Sequence, residues 1–148
     1  MVALPPSTTF FGEPTPNVDL DRWRLRVTGR VARVTEYALT DLRALGERDV
    51  RATLDCTSGW ALDATWRGVS LGSVLAIAEV DPRATTVVVR SVTGWTSSFP
   101  IAEVLGLLLA TGVAGRTLPS GNGAPCRLVA PSRRGLDWVK WIDEIRVT

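Results

Sequence analysis

Two cysteines and no histidine set the chemistry open to this chain. Cys56 lies in Leu54-Asp55-Cys56-Thr57-Ser58-Gly59-Trp60, where a strand pattern gives way to a glycine-containing loop. Strand ends and loops carry function more often than cores do. The thiolate is the reactive and metal-ligating form of cysteine, and Arg67 supplies a nearby positive charge that favours it. Against this stand two plainer readings. A lone cysteine is most often a small buried hydrophobe, and Cys56 and Cys126 can instead form one structural disulfide. Without histidine, neither a Ser–His–Asp triad nor a Cys–His pair can be built. A structural zinc site of four Cys/His ligands is excluded as well. Proton transfer must use Asp, Glu, Tyr, Lys, Arg or water.

Cationic and aromatic side chains form the second set. The chain has 17 basic and 15 acidic residues, a balance that does not point to nucleic acid. The distribution is uneven: Arg116, Arg127, Arg133, Arg134 and Lys140 face a single acid, Asp137, over 116–140. This stretch is either an anion site or a solvated basic face. Gly121-Asn122-Gly123 looks like the start of a dinucleotide fingerprint, but Ala124-Pro125-Cys126 follows, with no third glycine, and a strand stands where a helix is required. The run remains a tight turn whose N–H groups can cradle an anion. Of the six tryptophans, Trp60, Trp95 and Trp138 adjoin glycine turns, where an indole can wall a flat heterocycle; the alternative is plain core.

These residues need elements to position them. The length of 148 residues suits one domain, and a 45% hydrophobic composition supports a real core. Four of nine prolines fall in the first 16 residues, so 1–20 reads as an extended proline-rich arm and 21–148 as the folded domain. No run approaches the roughly 18 apolar residues of a membrane span, and the N-terminus lacks a signal-peptide pattern. Trp23, Leu25 and Val27 alternate with Arg22, Arg24 and Arg26, which predicts a half-buried strand. Gly29-Arg30 predicts a turn into a second strand over 31–38, and Thr40 predicts the cap of a short helix over 41–45. Strands are expected over 50–54, 87–89, 95–99, 107–111, 126–130 and 142–147. Leu71, Val74, Leu75 and Ala78 fall at i, i+3, i+4 and i+7 behind Ser70 and predict a helix. Pro100 predicts the first turn of another, with Ile101, Val104 and Leu105. Strands dominate and helices are short, so the fold class is α+β with mixed sheets.

Four segments then coincide with a known pattern: Cys56-x-x-x-Trp60; Trp66-Arg67-Gly68-Val69-Ser70-Leu71; Asn122-Gly123-Ala124-Pro125-Cys126-Arg127-Leu128-Val129; and Gly135 through Trp138-Val139-Lys140-Trp141-Ile142. In this order they resemble the sulfite oxidase molybdopterin-binding fold. The spacing is most similar to the branch holding the catalytic subunit of the bacterial protein-methionine-sulfoxide reductase. The resemblance runs from about Trp23 to Thr148, with an echo at Thr9-Phe10-Phe11-Gly12. It implies a cofactor in which molybdenum carries a pterin dithiolene, oxo groups and one protein sulfur. Cys56 occupies the place of that metal ligand and catalytic cysteine. Asn122 and Arg127 match pterin-holding positions, as does Trp138-Val139-Lys140 through its backbone and ammonium. Ser91 matches a hydroxyl position, and Thr9, Phe10 and Phe11 match an Asn-aromatic-aromatic segment in which Thr9 replaces Asn. Asn122 stands where many members have histidine, as in the methionine-sulfoxide branch. With a pterin phosphate to bind, the basic stretch 127–140 gains a partner.

The resemblance implies a molybdenum oxidoreductase doing oxygen-atom transfer on a small or protein-borne substrate, with sulfoxide- or sulfite-like chemistry. Trp60 and Trp95 are expected at the substrate mouth. No haem or iron–sulfur ligand set is present in the sequence, so an external haem- or quinone-linked electron partner is expected. The alternative is a non-catalytic pterin-binding or protein-interaction module that keeps the fold. The haem and Ig-like domains of sulfite oxidases and a twin-arginine signal are absent from the sequence. Two settings follow: a minimal cytoplasmic form, or a piece of an extracytoplasmic or membrane-tethered protein with an upstream membrane domain. A recombinant sample can lack the cofactor.

Overall fold

The computed structural model describes residues 15–55 and 61–148. Among these residues, ten strands form two sheets. In chain order the elements are β1 (Leu25–Gly29), β2 (Thr35–Tyr37), α1 (Leu39–Arg43), β3 (Arg48–Asp55), β4 (Ala61–Ser70), α2 (Leu71–Ala78), β5 (Thr86–Ser91) and β6 (Thr96–Pro100). A 3-10 helix (Ile101–Gly106) leads to β7 (Leu108–Val113) and β8 (Arg116–Thr117). After a 3-10 turn (Ser120–Asn122) come β9 (Arg127–Val129), a further 3-10 turn (Gly135–Asp137) and β10 (Ile142–Val147).

The first sheet has the order β2-β1-β10-β5-β6, and the second runs β3-β4-β7-β8 with β9 also paired to β7. The β1–β10 pair is parallel, with Val27 beside Ile145, and every other pair is antiparallel. Period-two patterning explains β1, where Leu25 and Val27 are fully buried while Arg26 faces out. It also explains β5, where Val87 and Val89 are buried. One hydrophobic cluster draws on both sheets and on α2, which contributes Leu71, Val74, Leu75 and Ala78 as its spacing requires. Each fully buried large side chain, Phe99 or Leu128 for example, stabilises the fold by about 1.5–3 kcal/mol.

Several expectations need correction. β4 was not foreseen. It sends Ala64 and Trp66 inward and Asp63, Thr65 and Arg67 outward, and a register shift between Arg67 and Gly68 interrupts the pattern. There a Cβ on Gly68 would stand 2.0 Å from the Leu109 carbonyl oxygen, so the β4–β7 approach requires glycine. The strand expected over 31–38 shrinks to Thr35–Tyr37, with Val31 making only an isolated bridge to Val80. The helix expected from Thr40 starts at Leu39, where the Asp41 carboxylate accepts the Ala38 N–H at 3.1 Å. The segment after Pro100 is 3-10 rather than α, with Val104 buried and Leu105 79% exposed. Among the described residues, no helix is long and apolar enough to cross a membrane.

Candidate functional site

β9 and the segment entering β10 lie side by side and carry four of the six candidate residues that are described. The Leu128 N–H donates to the Val139 carbonyl at 2.8 Å, that of Ile142 to Cys126 at 3.0 Å and that of Trp141 to Gly123 at 3.2 Å. The turn over 120–125 is thereby stitched to 138–142.

Arg127 and Lys140 sit inside this pair, 3% and 9% exposed. The Arg127 guanidinium lies over two indoles, 5.3 Å from the Trp66 ring centre and 5.8 Å from that of Trp138. It donates to the main-chain carbonyls of Asn122 at 3.0 Å and Trp138 at 3.2 Å. A planar, weakly hydrated cation tolerates such a place better than an ammonium does. The Lys140 Nζ donates to the Gly121 carbonyl at 2.9 Å and lies 4.8 Å from the Trp141 ring centre. Asn122 is 4% exposed.

Gly123 makes the arrangement possible. Its φ of +113° is left-handed, and a Cβ there would lie 2.9 Å from Arg127 Cβ and 3.1 Å from Lys140 Cβ. Only glycine meets both requirements. Trp141 is the other backbone exception, with φ of +54°. A bulky residue in that region costs on the order of 1–3 kcal/mol and persists only where its surroundings hold it.

Ser91 joins the same neighbourhood. It is 1% exposed and pairs with Ile142, and the next residue, Val92, donates its N–H to the Trp141 carbonyl at 2.8 Å. The Ser91 hydroxyl accepts the Thr93 N–H at 3.2 Å and lies 3.0 Å from the Thr93 hydroxyl, closing the β5–β6 turn. The structure thus brings together Ser91, Asn122, Arg127, Trp138, Val139 and Lys140. Thr9, Phe10, Phe11, Cys56 and Trp60 lie outside the described residues. On either side of 56–60, Asp55 pairs with Ala61, and its carboxylate lies 3.7 Å from the Arg134 guanidinium. The end of β3 therefore meets the 131–135 turn.

The basic stretch does not converge as a whole. Arg133 is engaged by Glu103 at 3.2 Å and Asp137 at 3.1 Å and stacks on Phe99. Burial pushes its pKa down, the Asp137 and Glu103 carboxylates push it up, and the net shift is upward. Arg134 turns to Asp55. Arg116 lines an open cleft of about 610 Å³ on the outer face of the second sheet, beside Arg43, Glu47, Asp49 and Arg67. Only Arg127 and Lys140 enter the site.

The aromatic expectation divides as well. Trp138 is 1% exposed, packs edge-on to Trp66 at 5.4 Å and donates its indole N–H to the Arg133 carbonyl, so it is core. Trp95 is half-buried and donates to the Leu136 carbonyl at 3.3 Å. Asp137 anchors this turn by accepting the Ser97 hydroxyl at 2.6 Å. Cys126 is a free, fully buried thiol among the described residues, and the other half of the disulfide alternative, Cys56, lies outside them. Burial pushes its pKa far up. Sequence reasoning gave no separate role to Gly123 or Trp141; the left-handed backbone at both is the missed feature, signalled only by the glycine.

A family model described as the oxidoreductase molybdopterin binding domain matches residues 12–148. The chain belongs to that family. This domain is 34% identical, over 84% of its length, to the protein-methionine-sulfoxide reductase catalytic subunit MsrP of Gluconobacter oxydans, covering 46% of that protein. With the MsrP of Xanthomonas campestris it shares 31% identity over 86% of its length and 45% of the relative. With the uncharacterized oxidoreductase YuiH of Bacillus subtilis it shares 29% over 88% and 67% respectively. The domain thus spans about half the length of its MsrP relatives. Its fold is shared with the sulfane dehydrogenase SoxCD from Paracoccus pantotrophus, with a TM-score of 0.85 over 90% of this chain and 40% of that one, at 23% identity. The sulfite oxidase-like, α+β expectation from sequence therefore stands.

Proposed function

We propose that this domain holds a molybdenum–molybdopterin cofactor at the 120–127 and 138–142 junction and takes part in two-electron, oxygen-atom chemistry on a sulfoxide- or sulfite-like substrate. The observation that carries the reading is the buried pair Arg127 and Lys140, two cations packed on either side of a glycine that can bear no side chain. Burying a cation is unfavourable unless dipoles or an anion compensate it. The carbonyls of residues 121, 122 and 138 supply dipoles, and the phosphate of a pterin is an anion whose chemistry suits a guanidinium and an ammonium set beside a glycine turn.

The donor set fits the group. Arg127 offers a planar fork, Lys140 a point charge, and Asn122 an amide that can both donate and accept. Arg127 and Lys140 would bind the anionic end, and Asn122 and the main chain of 138–140 would orient the ring. Ser91 would buttress the far side of the segment. Cys56 would supply the protein thiolate to the metal, and Thr9, Phe10 and Phe11 would contact the pterin. The bound molybdenum centre supplies the redox chemistry, and the protein's part is to position and tune it. Two electrons would be exchanged with an external haem- or quinone-linked protein, and the substrate would be a small molecule or a protein side chain.

The deciding experiment is elemental and pterin analysis of protein made in a host that synthesises the cofactor, alongside Cys56→Ser. Wild type should carry about one molybdenum per chain, and the variant should lose both metal and dye-coupled turnover. Full metal and turnover in Cys56→Ser would refute the ligand assignment. A wild-type pocket that stays empty would favour a non-catalytic module.

A further inference from the structure

We infer that Trp141 is a positioning residue of this site: its indole fixes the turn over 119–125 and orients Lys140, without itself touching the reacting atoms. The inference rests on the functional reading above and extends it to a residue outside the set read from the sequence.

Three observations converge on it. The backbone of Trp141 is left-handed, at φ +54°, a conformation a bulky side chain rarely adopts without compensation. The compensation is visible on every side. The Trp141 N–H donates to the Gly123 carbonyl, its own carbonyl accepts the Val92 N–H, and its indole Nε1–H donates to the Ser120 carbonyl at 2.7 Å. The indole face lies 4.8 Å from Lys140 Nζ. One residue therefore grips both ends of the 3-10 turn Ser120–Asn122, through its indole at Ser120 and its main chain just past Asn122, and carries the cation beside it.

The left-handed kink also has a direct geometric consequence. A strand that simply continued from β10 through 141 would alternate its side chains across the sheet. The kink breaks that alternation where the register of β10 against β5 also shifts, between Ile142 and Glu144. Lys140 is thereby turned back over Gly123 and onto the Gly121 carbonyl. An ordinary core tryptophan would need neither the strained backbone nor a hydrogen bond to a turn 21 residues away.

Two substitutions separate the indole from the backbone. Trp141→Phe keeps an aromatic ring near the ammonium and removes the indole N–H together with the five-membered ring. Trp141→Gly suits the left-handed backbone and removes the ring. Amide hydrogen exchange across 119–125 should rise about fivefold in Trp141→Phe, the equilibrium change from losing one hydrogen bond of ~1 kcal/mol. Exchange in β5 and β6 should not change. Pterin per chain, read by fluorescence of the oxidised pterin released on denaturation, should fall in the same order: wild type, Trp141→Phe, Trp141→Gly. A turn that exchanges as in wild type in both variants, with undiminished pterin, would overturn the inference. If wild type itself binds no pterin, the functional reading fails, and the exchange data still decide whether the indole fixes the turn. Should either variant not fold, the indole N–H resonance of Trp141 in wild-type protein decides. It should be strongly protected from solvent exchange, and exchange as fast as an exposed indole would reject the bond to Ser120 and the inference with it.

Discussion

Two arginine-bearing regions of this domain look alike in sequence and differ in environment. On the outer face of the second sheet, Arg51 pairs with Asp63 at 3.1 Å, and Arg67 lies 4.0 Å from Glu47 and 3.9 Å from Asp49. These side chains are largely exposed, at 76% for Arg51 and 57% for Arg67. Between β9 and β10, Arg127 is buried against two indoles and donates to carbonyl groups. Solvent screens the first set, and carboxylates neutralise it. The second is desolvated and packed against indoles and main-chain carbonyl dipoles. The number of cations therefore says less about anion binding than what surrounds each one.

The largest expected effect falls on the buried side. Arg127→Ala leaves the carbonyls of Asn122 and Trp138 without that donor, at ~1–3 kcal/mol each, and opens a hole between Trp66 and Trp138. Urea denaturation should show a loss of about 3 kcal/mol or more, and pterin content should fall close to zero. A variant as stable as wild type would erase the distinction between the regions. Gly123→Ala comes next. A Cβ at left-handed φ, 2.9 Å from Arg127 Cβ, should cost about 1–3 kcal/mol and displace Arg127 and Lys140 together. Thermal unfolding and pterin content should drop in step.

Cys126 gives a smaller effect, confined to alkaline pH. Burial raises its pKa in the folded state above the ordinary 9.0. Above that pH the unfolded chain releases a proton the folded chain keeps, so stability declines as pH rises. The slope attributable to this group approaches ~1.4 kcal/mol per pH unit. Comparing denaturation of wild type and Cys126→Ala between pH 8 and pH 10.5 isolates it; parallel curves would contradict the raised pKa. The smallest change belongs to the exposed face. Arg51→Ala and Arg67→Ala should each shift stability by no more than about 0.5 kcal/mol and leave pterin content alone. A strong loss of pterin in Arg67→Ala would mean that the outer cleft takes part in binding.

Much of this was legible in the sequence because hydrophobic period reports directly on one buried face. Leu25 with Val27, Val87 with Val89, and the i, i+3, i+4, i+7 set on α2 all fell where their spacing placed them. β4 escaped because the feature that matters there is a bulge. Gly68 serves a backbone contact with Leu109, which no hydropathy pattern records. The same limit applies at the site. Asn122, Arg127 and Lys140 could be singled out from a resemblance, and they do lie together. That Arg133 and Arg134 would turn away to Glu103, Asp137 and Asp55 depends on partners distant in sequence. The role of Trp141 depends on a dihedral angle, which residue type alone does not disclose.

The parallel pairing of β1 with β10 has a consequence for biosynthesis. The indole of Trp23 reaches the main chain of Ile142 across 119 residues, and the central strand of the first sheet is the one made after all its neighbours. Until the ribosome has released β10, neither that sheet nor the Lys140–Trp141 kink leading into it can form. Loading of any prosthetic group at this junction must then wait for β10, and a premature stop shortly after residue 140 would yield a chain that neither closes its first sheet nor matures.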